Sequence, residues 1–288
     1  MTYVVAGTSG HTGRVVAETL LESGTKVRVV VRDAAKGEAW KARGAEVAVA
    51  SLDDAEAIAK ALEGAKGAYL LVPPPMGVPD TLAAQARVVD AIARALERTP
   101  VPHVVFLSSV GAHLPDRTGP ILGLARAEKR LRAVPGVAFT FLRAPYFMEN
   151  LGASLGGLEH GVFATFLDGS RAVPMAATVD IGRVAAKSLL GGASTTEVLE
   201  LHGLPVTPAE AAKTFGSLVG KELALEVGPT SVMASVLQGY GFTADLAGLY
   251  AEMTAGINEG RIVHEGGHPV AQATTPLASV AATLLGKS

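Results

Sequence analysis

The sequence predicts an α/β fold: a doubly wound parallel sheet flanked by helices, followed by a smaller C-terminal lobe. Three observations predict it. Apolar runs of strand length alternate with segments of helical periodicity as far as residue 143. The runs are almost continuously apolar, which is typical of parallel strands buried on both faces. Three glycines, Gly7, Gly10 and Gly13, follow the first run at a spacing of three residues.

The elements follow one another in a regular order. The first strand begins at residue 3, and later strands are predicted at 27–31, 46–49, 67–72, 104–107 and 139–142. Helices are predicted after the glycines and at 35–43, 54–62, 81–97 and 122–132. Beyond residue 143 this alternation stops, and glycine-rich segments separate short strands (198–201, 223–226) from helices (180–190, 208–218, 244–257, 276–285). We expect residues 1–143 to form a nucleotide-binding core. Residues 144–288 should form a substrate-covering lobe interwoven with that core in one structural unit.

Composition excludes several classes of function. The 288 residues carry a formal net charge of −2 with charges scattered along the chain, so a nucleic-acid partner is not expected. The absence of cysteine excludes disulfides, thiolate catalysis and cysteine metal sites. No apolar run approaches the ~18 residues of a membrane span, and no secretion signal precedes the first strand. We therefore expect a cytoplasmic protein, monomeric or homodimeric, without a membrane partner.

The glycine loop at residues 7–13 predicts a cofactor site. Gly7 permits a sharp turn out of the strand, Gly10 lets the backbone approach a phosphate, and Gly13 lets the helix pack against the sheet. The helix N-terminus then offers unpaired N–H groups and a positive dipole end to a pyrophosphate. This strand–turn–helix context indicates a dinucleotide-binding core of Rossmann type.

The end of the second strand indicates which dinucleotide binds. An NAD site usually has an acidic residue here, but this chain has Arg32, whose planar guanidinium suits the 2′-phosphate of NADP. Lys36 could act as a second cation, and Asp33 is interpreted as the cap of the next helix. The alternative is that Arg32 is only a solvated charge. NADP (as NADPH) is therefore favoured over NAD.

Motifs along nearly the whole chain carry a family resemblance. They are GTSGHTG at 7–13, Arg32, LDD at 52–54, LVPP at 71–74, FLSS at 106–109, EKRL at 128–131, LRAPYFMEN at 142–150, DIG at 180–182 and GINEG at 256–260. In this order and spacing the chain resembles the NmrA-like family of atypical short-chain dehydrogenases, which includes small quinone reductases.

The resemblance implies roles for particular residues. Leu52 and Asp53 would lie near the adenine, Val72 and Pro73 would flank the nicotinamide ribose, and Tyr146 and Phe147 would border the nicotinamide and the substrate. Ala50-Ser51 departs from the Gly-Asp that relatives often have before the Leu, which weakens the adenine assignment. The predicted cofactor-binding residues are Gly7, Thr8, Ser9, Gly10, His11, Thr12, Gly13, Arg32, Lys36, Leu52, Asp53, Val72, Pro73 and Ser108.

The catalytic pair of ordinary short-chain dehydrogenases is absent. No tyrosine of this chain is followed four residues later by lysine. Leu124 and Ala125 also occupy the place where some relatives have a lysine one turn before the glutamate matching Glu128. Reduction of a ketone needs such an acid, whereas reduction of a quinone yields a delocalised phenolate that water can protonate. The sequence therefore favours hydride transfer from NADPH to a quinone or a similar conjugated acceptor.

Candidate catalytic residues follow from this chemistry. Ser108 and Ser109 end a strand where a parallel sheet presents its carboxyl edge to ligands, and they either bond a carbonyl oxygen or only end the strand and cap the next turn. Ser108 and Tyr146 are the catalytic candidates, and Tyr146 and Phe147 could stack on a flat substrate.

Two other functions remain open. Some proteins of this type bind NAD(P) and regulate a protein partner without catalysis, which the missing acid would suit. An epimerase or a reductase of nucleotide sugars is disfavoured, because it needs the absent Tyr-x-x-x-Lys pair.

Two further patterns have simpler interpretations. His264-Glu265-Gly266-Gly267-His268 matches the HExxH zinc motif by letter, but two glycines and the following Pro269 predict a polar loop near the cleft rim, so no metal is expected. The charged run at 126–132 is interpreted as a solvated helix face.

Overall fold

A computed structural model describes residues 1–287 of the chain. Its strands are β1 (Thr2–Val5), β2 (Lys26–Val31), β3 (Glu46–Val49), β4 (Ala65–Leu70), β5 (His103–Ser109), β6 (Ala138–Ala144), β7 (Tyr146–Phe147), β8 (Val162–Thr165), β9 (Val173–Ala176), β10 (Glu197–His202), β11 (Leu204–Val206), β12 (Ala224–Val227) and β13 (Val270–Gln272). Its α-helices are α1 (His11–Glu22), α2 (Glu38–Ala42), α3 (Ala55–Leu62), α4 (Thr81–Arg98), α5 (Ile121–Arg132), α6 (Thr178–Gly191), α7 (Pro208–Val219), α8 (Thr230–Gly239), α9 (Ala244–Asn258) and α10 (Leu277–Leu284).

The main sheet has eight parallel strands in the order β13-β10-β6-β5-β4-β1-β2-β3. The chain winds in one direction from β1 to β3 and in the other from β4 onward, so the winding reverses between β1 and β4. In open parallel sheets ligands bind at the carboxyl ends of the strands beside such a reversal. The predicted doubly wound α/β fold of Rossmann type is confirmed.

Apolar side chains cover both faces of this sheet. Against one face pack α3, α4 and α5, around buried Ile92, Phe106 and Phe139. Against the other face pack α1 and α6, around buried Leu20 and Ile181. This two-sided burial explains why the core strands read as continuous apolar runs.

The second half of the chain divides between the sheet and a lobe. Strands β10 and β13 extend the main sheet beyond β6, while β7, β9 and β11 form a three-stranded sheet and β8 pairs with β12. A third apolar cluster, which includes Met148, Phe163 and Phe215, holds this lobe together. The strand predicted at 198–201 therefore exists as β10, but it belongs to the core sheet.

Several local expectations needed correction. The helix expected at 35–43 is two pieces, a 3₁₀ turn at Ala34–Gly37 and the short α2. The glycine-rich segment after residue 147 is a run of 3₁₀ turns, Met148–His160. Strands β7, β8, β9, β11 and β13, of two to four residues each, were not expected. Within residues 1–287, no helix combines the length and the apolar composition needed to cross a bilayer.

Candidate active site

A cleft of about 730 Å³ runs along the carboxyl edge of the sheet. Three parts of the chain line it: the glycine loop, the segments after β4, β5 and β6, and one side of the C-terminal lobe. Of the predicted site residues, it is lined by Gly7, Ser9, Gly10, Thr12, Val72, Pro73, Ser108, Tyr146 and Phe147. The others lie outside its wall: Thr8, His11, Gly13, Arg32, Lys36, Leu52 and Asp53.

The three glycines of the loop differ in what surrounds them. Gly7 has φ +70°, the left-handed conformation that a sharp turn after β1 requires. A β-carbon on Gly13 would lie 2.5 Å from the carbonyl oxygens of Ala6 and Gly7, so only glycine lets α1 pack this closely on β1. A β-carbon on Gly10 would meet the Gly7 oxygen at 3.3 Å and, apart from its two neighbours in the chain, no other atom of residues 1–287 within 4 Å.

The N-terminus of α1 is available to an anion. Gly10 is its N-cap; no side chain within the described chain caps the helix, and its first turn has no acidic residue. The hydroxyl of Thr8 is buried beside it without a hydrogen-bond partner in that same part of the chain. The Thr12 hydroxyl, by contrast, accepts a hydrogen bond of 2.9 Å from Tyr69. These residues fit a bound pyrophosphate, held by backbone N–H groups.

Charged groups follow β2 as the sequence predicts. The Asp33 carboxylate accepts a hydrogen bond of 2.9 Å from the Ala35 N–H, which confirms its role as a cap. Arg32 and Lys36 are exposed, and neither pairs with a carboxylate of residues 1–287. After β3, Leu52 is half-buried and Asp53 is exposed.

Ser108 does not present a free hydroxyl proton to the cleft. It is buried and donates a hydrogen bond of 2.6 Å to the Glu128 carboxylate of α5. The same carboxylate accepts bonds of 2.9 and 2.8 Å from Arg143, at the end of β6. Because an ionised carboxylate only accepts, the Ser108 oxygen is left to the cleft as an acceptor. Interpreting 126–132 as a solvated face is therefore wrong at Glu128, which is 5 % exposed.

The network continues into the loop after α9. Arg143 also donates to Glu265, whose carboxylate lies 3.0 Å from His268. The hydrogen bond from Arg143 lowers the pKa of Glu265. Ser109 takes no part in this network, because its hydroxyl donates to the carbonyl oxygen of Val110.

Tyr146 is a neutral phenol. Burial raises its pKa to about 12, against a smaller opposing effect from a hydrogen bond with Asn150. Asn150 is four residues after Tyr146, the place of the lysine in a Tyr-x-x-x-Lys pair, and it also lines the cleft. No cation of residues 1–287 lowers its pKa, so this phenol can donate a hydrogen bond but is not set to ionise near neutral pH.

The C-terminal lobe closes the far side of the cleft with apolar groups. Helix α9 contributes Leu246, Tyr250, Met253 and Ile257, and the loop after it contributes Ile262. Sequence reasoning did not assign these side chains to the site, although the GINEG motif at 256–260 overlaps the end of α9. A wall of this kind suits a flat apolar ligand.

Polar side chains, among them Arg171 and His264, interrupt that wall. His264 lines the cleft and stacks on His202, with ring centroids 4.2 Å apart. Its Nδ1 lies 3.8 Å from a carboxylate oxygen of Glu200, which is 1 % exposed. The segment 264–268 is a loop, as the sequence predicts.

Most of the chain matches one known protein family. Residues 1–260 match the model of the NmrA-like family. The chain belongs to the NmrA-like family. The resemblance carried by the sequence motifs is therefore confirmed.

Two curated relatives cover most of the NmrA-like chain. It is 28% identical over 289 residues to quinone oxidoreductase 2 of Escherichia coli (strain K12), covering 95% of each protein. It is 27% identical over 254 residues to an NAD(P)H azoreductase of Xenophilus azovorans, covering 88% of this chain and 86% of that one.

Solved structures share the complete fold. An NADPH-dependent quinone oxidoreductase of Escherichia coli, complexed with NADPH, superposes with a TM-score of 0.80 at 26% identity, covering 99% of this chain and 100% of that one. A triphenylmethane reductase of Citrobacter sp. gives 0.81 at 18% identity over 99% and 100% of the chains, a likeness of fold alone.

Proposed function

We propose that this protein is an NADPH-dependent oxidoreductase that transfers hydride to a quinone or a similarly flat, conjugated acceptor. The observation that carries the proposal is a single cleft that joins the glycine loop and the uncapped N-terminus of α1 to an apolar wall bordered by Tyr146 and Phe147. Relatives named as a quinone oxidoreductase and an NAD(P)H azoreductase support it. A dinucleotide that extends along the cleft from the glycine loop to the apolar wall would lie beside an acceptor bound at that wall.

The cofactor end has the groups that NADPH would need. The N–H groups at the start of α1 would hold the pyrophosphate, and Arg32 with Lys36 would attract the 2′-phosphate. The segment at Val72 and Pro73 would flank the nicotinamide ribose. Bound there, NADPH supplies the hydride. The solved relative complexed with NADPH supports this choice of cofactor.

The acceptor end has groups that orient a substrate without ionising. The Tyr146 phenol can donate a hydrogen bond to an acceptor oxygen, whereas the Ser108 oxygen can only accept one, for example from the amide of the nicotinamide. The apolar side chains of α9 would pack on the acceptor and exclude water from the cleft. A conjugated acceptor suits this site, since its reduced oxygen is a delocalised phenolate that solvent can protonate.

NADPH oxidation measured against a panel of acceptors tests the proposal. We expect turnover with benzoquinones and naphthoquinones and little with simple ketones or sugars. Calorimetry with NADPH and NADH is the companion measurement. Tight NADPH binding without turnover on any acceptor would contradict the proposal and favour a non-catalytic regulator that acts through a protein partner.

A further inference from the structure

Glu200 is a buried carboxylate without a strong cationic partner. It stands near the end of β10, where it pairs in register with Arg143 of β6, and is 1 % exposed. Nevertheless, no lysine or arginine of residues 1–287 forms an ion pair with it; its only cationic candidates are His202 and His264, at 3.3 and 3.8 Å. Buried charges in proteins are normally paired with a charged group or ligate a metal.

His264 is also incompletely partnered. Both of its ring nitrogens are buried and make no hydrogen bond to any group of the described chain. An imidazole nitrogen with an unused lone pair is a metal ligand.

We propose that Glu200, His202 and His264 form a binding site for a divalent cation of the zinc type. Their ligand atoms, one from each residue, all lie within 4.8 Å of one another. In a tetrahedral site with bonds of about 2.0–2.1 Å, ligand atoms stand about 3.4 Å apart. The distances of 3.3 and 3.8 Å from the Glu200 oxygen to the two histidine nitrogens are close to this separation.

The surroundings of the trio support coordination. The second Glu200 oxygen accepts a hydrogen bond of 3.0 Å from the Gly266 N–H, which fixes the carboxylate as outer-shell partners of a metal do. The carboxylate of Glu265, on the same loop as His264, is already bonded to Arg143 and His268. Two imidazoles and one carboxylate leave a fourth position open, as in catalytic zinc sites.

This site differs from the zinc motif that the sequence suggests by letter. In the HExxH reading His264 would pair with His268 on one helix, but the segment is a loop and His268 bonds Glu265 instead. The trio is assembled from β10 and the loop after α9, which are about sixty residues apart in the chain. A substitution of His268 is therefore a matched control for one of His264.

Zinc binding to the full chain, stripped of metal by a chelator, tests the proposal by calorimetry. We expect one equivalent of Zn²⁺ to bind the unmodified protein and to raise its melting temperature, because a ligand of the folded state stabilises it. Glu200→Gln, His202→Ala and His264→Ala should each weaken binding by more than about 100-fold, the upper end of what even outer-shell partners contribute. His268→Ala should leave the affinity unchanged.

The result of the zinc titration does not depend on the proposed reductase activity, because neither NADPH nor an acceptor is added in this measurement. Glu200→Gln keeps the shape of the side chain, and circular dichroism of each variant establishes that it is folded. Absence of zinc binding to the unmodified protein would overturn the proposal. So would an affinity that survives Glu200→Gln, or one that falls in His268→Ala, since either result would place the ion on other ligands.

Discussion

The carboxylate of Glu128 and the guanidinium of Arg143 are joined by two hydrogen bonds of 2.9 and 2.8 Å, with both side chains about 95 % buried. Glu128 lies on α5 and Arg143 ends β6, so the pair ties a helix to the carboxyl edge of the sheet. The third bond to this carboxylate comes from Ser108, which lines the cleft. A buried ion pair thus sets the orientation of a cleft residue.

Loss of this pair should be costly. Glu128→Gln leaves the buried Arg143 with only the part-exposed Glu265 as a charged partner, and breaking a buried pair costs about 3–5 kcal/mol. We expect the free energy of unfolding, measured by urea denaturation, to fall by that order. The control is Glu56→Gln, which removes an exposed ion pair with Arg98 and should cost under about 1 kcal/mol. A similarly small loss of unfolding free energy in both variants would show that the buried pair contributes no more to stability than the exposed one.

The core strands and the glycine loop could be predicted from sequence because their physical causes are local. A parallel strand buried on both faces reads as an apolar run, and the roles of Gly7 and Gly13 follow from a turn and a close approach between adjacent elements. Asp33 was recognised as a cap for the same reason, since its bond spans only two residues.

Substitution of Gly10 should affect cofactor binding, whereas substitution of Gly13 should affect the stability of the fold. Gly10→Val should leave the protein folded, since its β-carbon meets only one oxygen at 3.3 Å, but should block the approach of the pyrophosphate and abolish NADPH binding. Gly13→Ala should instead destabilise the fold, because its β-carbon would overlap two carbonyl oxygens at 2.5 Å. Calorimetry with NADPH and thermal unfolding of both variants check this. Unchanged NADPH affinity in Gly10→Val would remove the loop from the cofactor site.

Arg32 should decide between NADPH and NADH. Loss of a charge-assisted contact with an exposed 2′-phosphate costs on the order of 1.5–3 kcal/mol. Arg32→Ala should therefore weaken NADPH about tenfold or more and leave NADH almost unchanged, as measured by calorimetry. Arg98→Ala, on the last turn of α4, is the control and should alter neither affinity. An equal loss of affinity for NADPH and NADH would mean that Arg32 has a structural role and does not contact the 2′-phosphate.

The polar network behind the cleft could not be read from sequence, because its members meet only in the folded chain. Glu128 looks like one charge in a solvated run, and its burial depends on where α5 packs on β5 and β6. Glu200 and His264 lie more than sixty residues apart, and neither belongs to a local motif that would bring them together. The HExxH pattern instead pairs His264 with His268, whose ring is hydrogen-bonded to Glu265 in the structure.

Ser108 and Tyr146 should affect the rate of the reaction but not its dependence on pH. If Ser108 and Tyr146 orient the ligands without ionising, Ser108→Ala and Tyr146→Phe should each lower kcat for quinone reduction only by the value of a hydrogen bond, about tenfold. The Tyr146 pKa of about 12 lies above its ordinary value, so the phenol keeps its proton at all lower pH and loses it only as the pH rises through that value. The rate should therefore show no tyrosine ionisation between roughly pH 6 and 9. Steady-state kinetics of both variants, with NADPH affinity measured separately, check this. A thousandfold loss in Tyr146→Phe with NADPH affinity intact, or a tyrosine ionisation near pH 8 that this variant removes, would make Tyr146 a proton donor and contradict the orienting role.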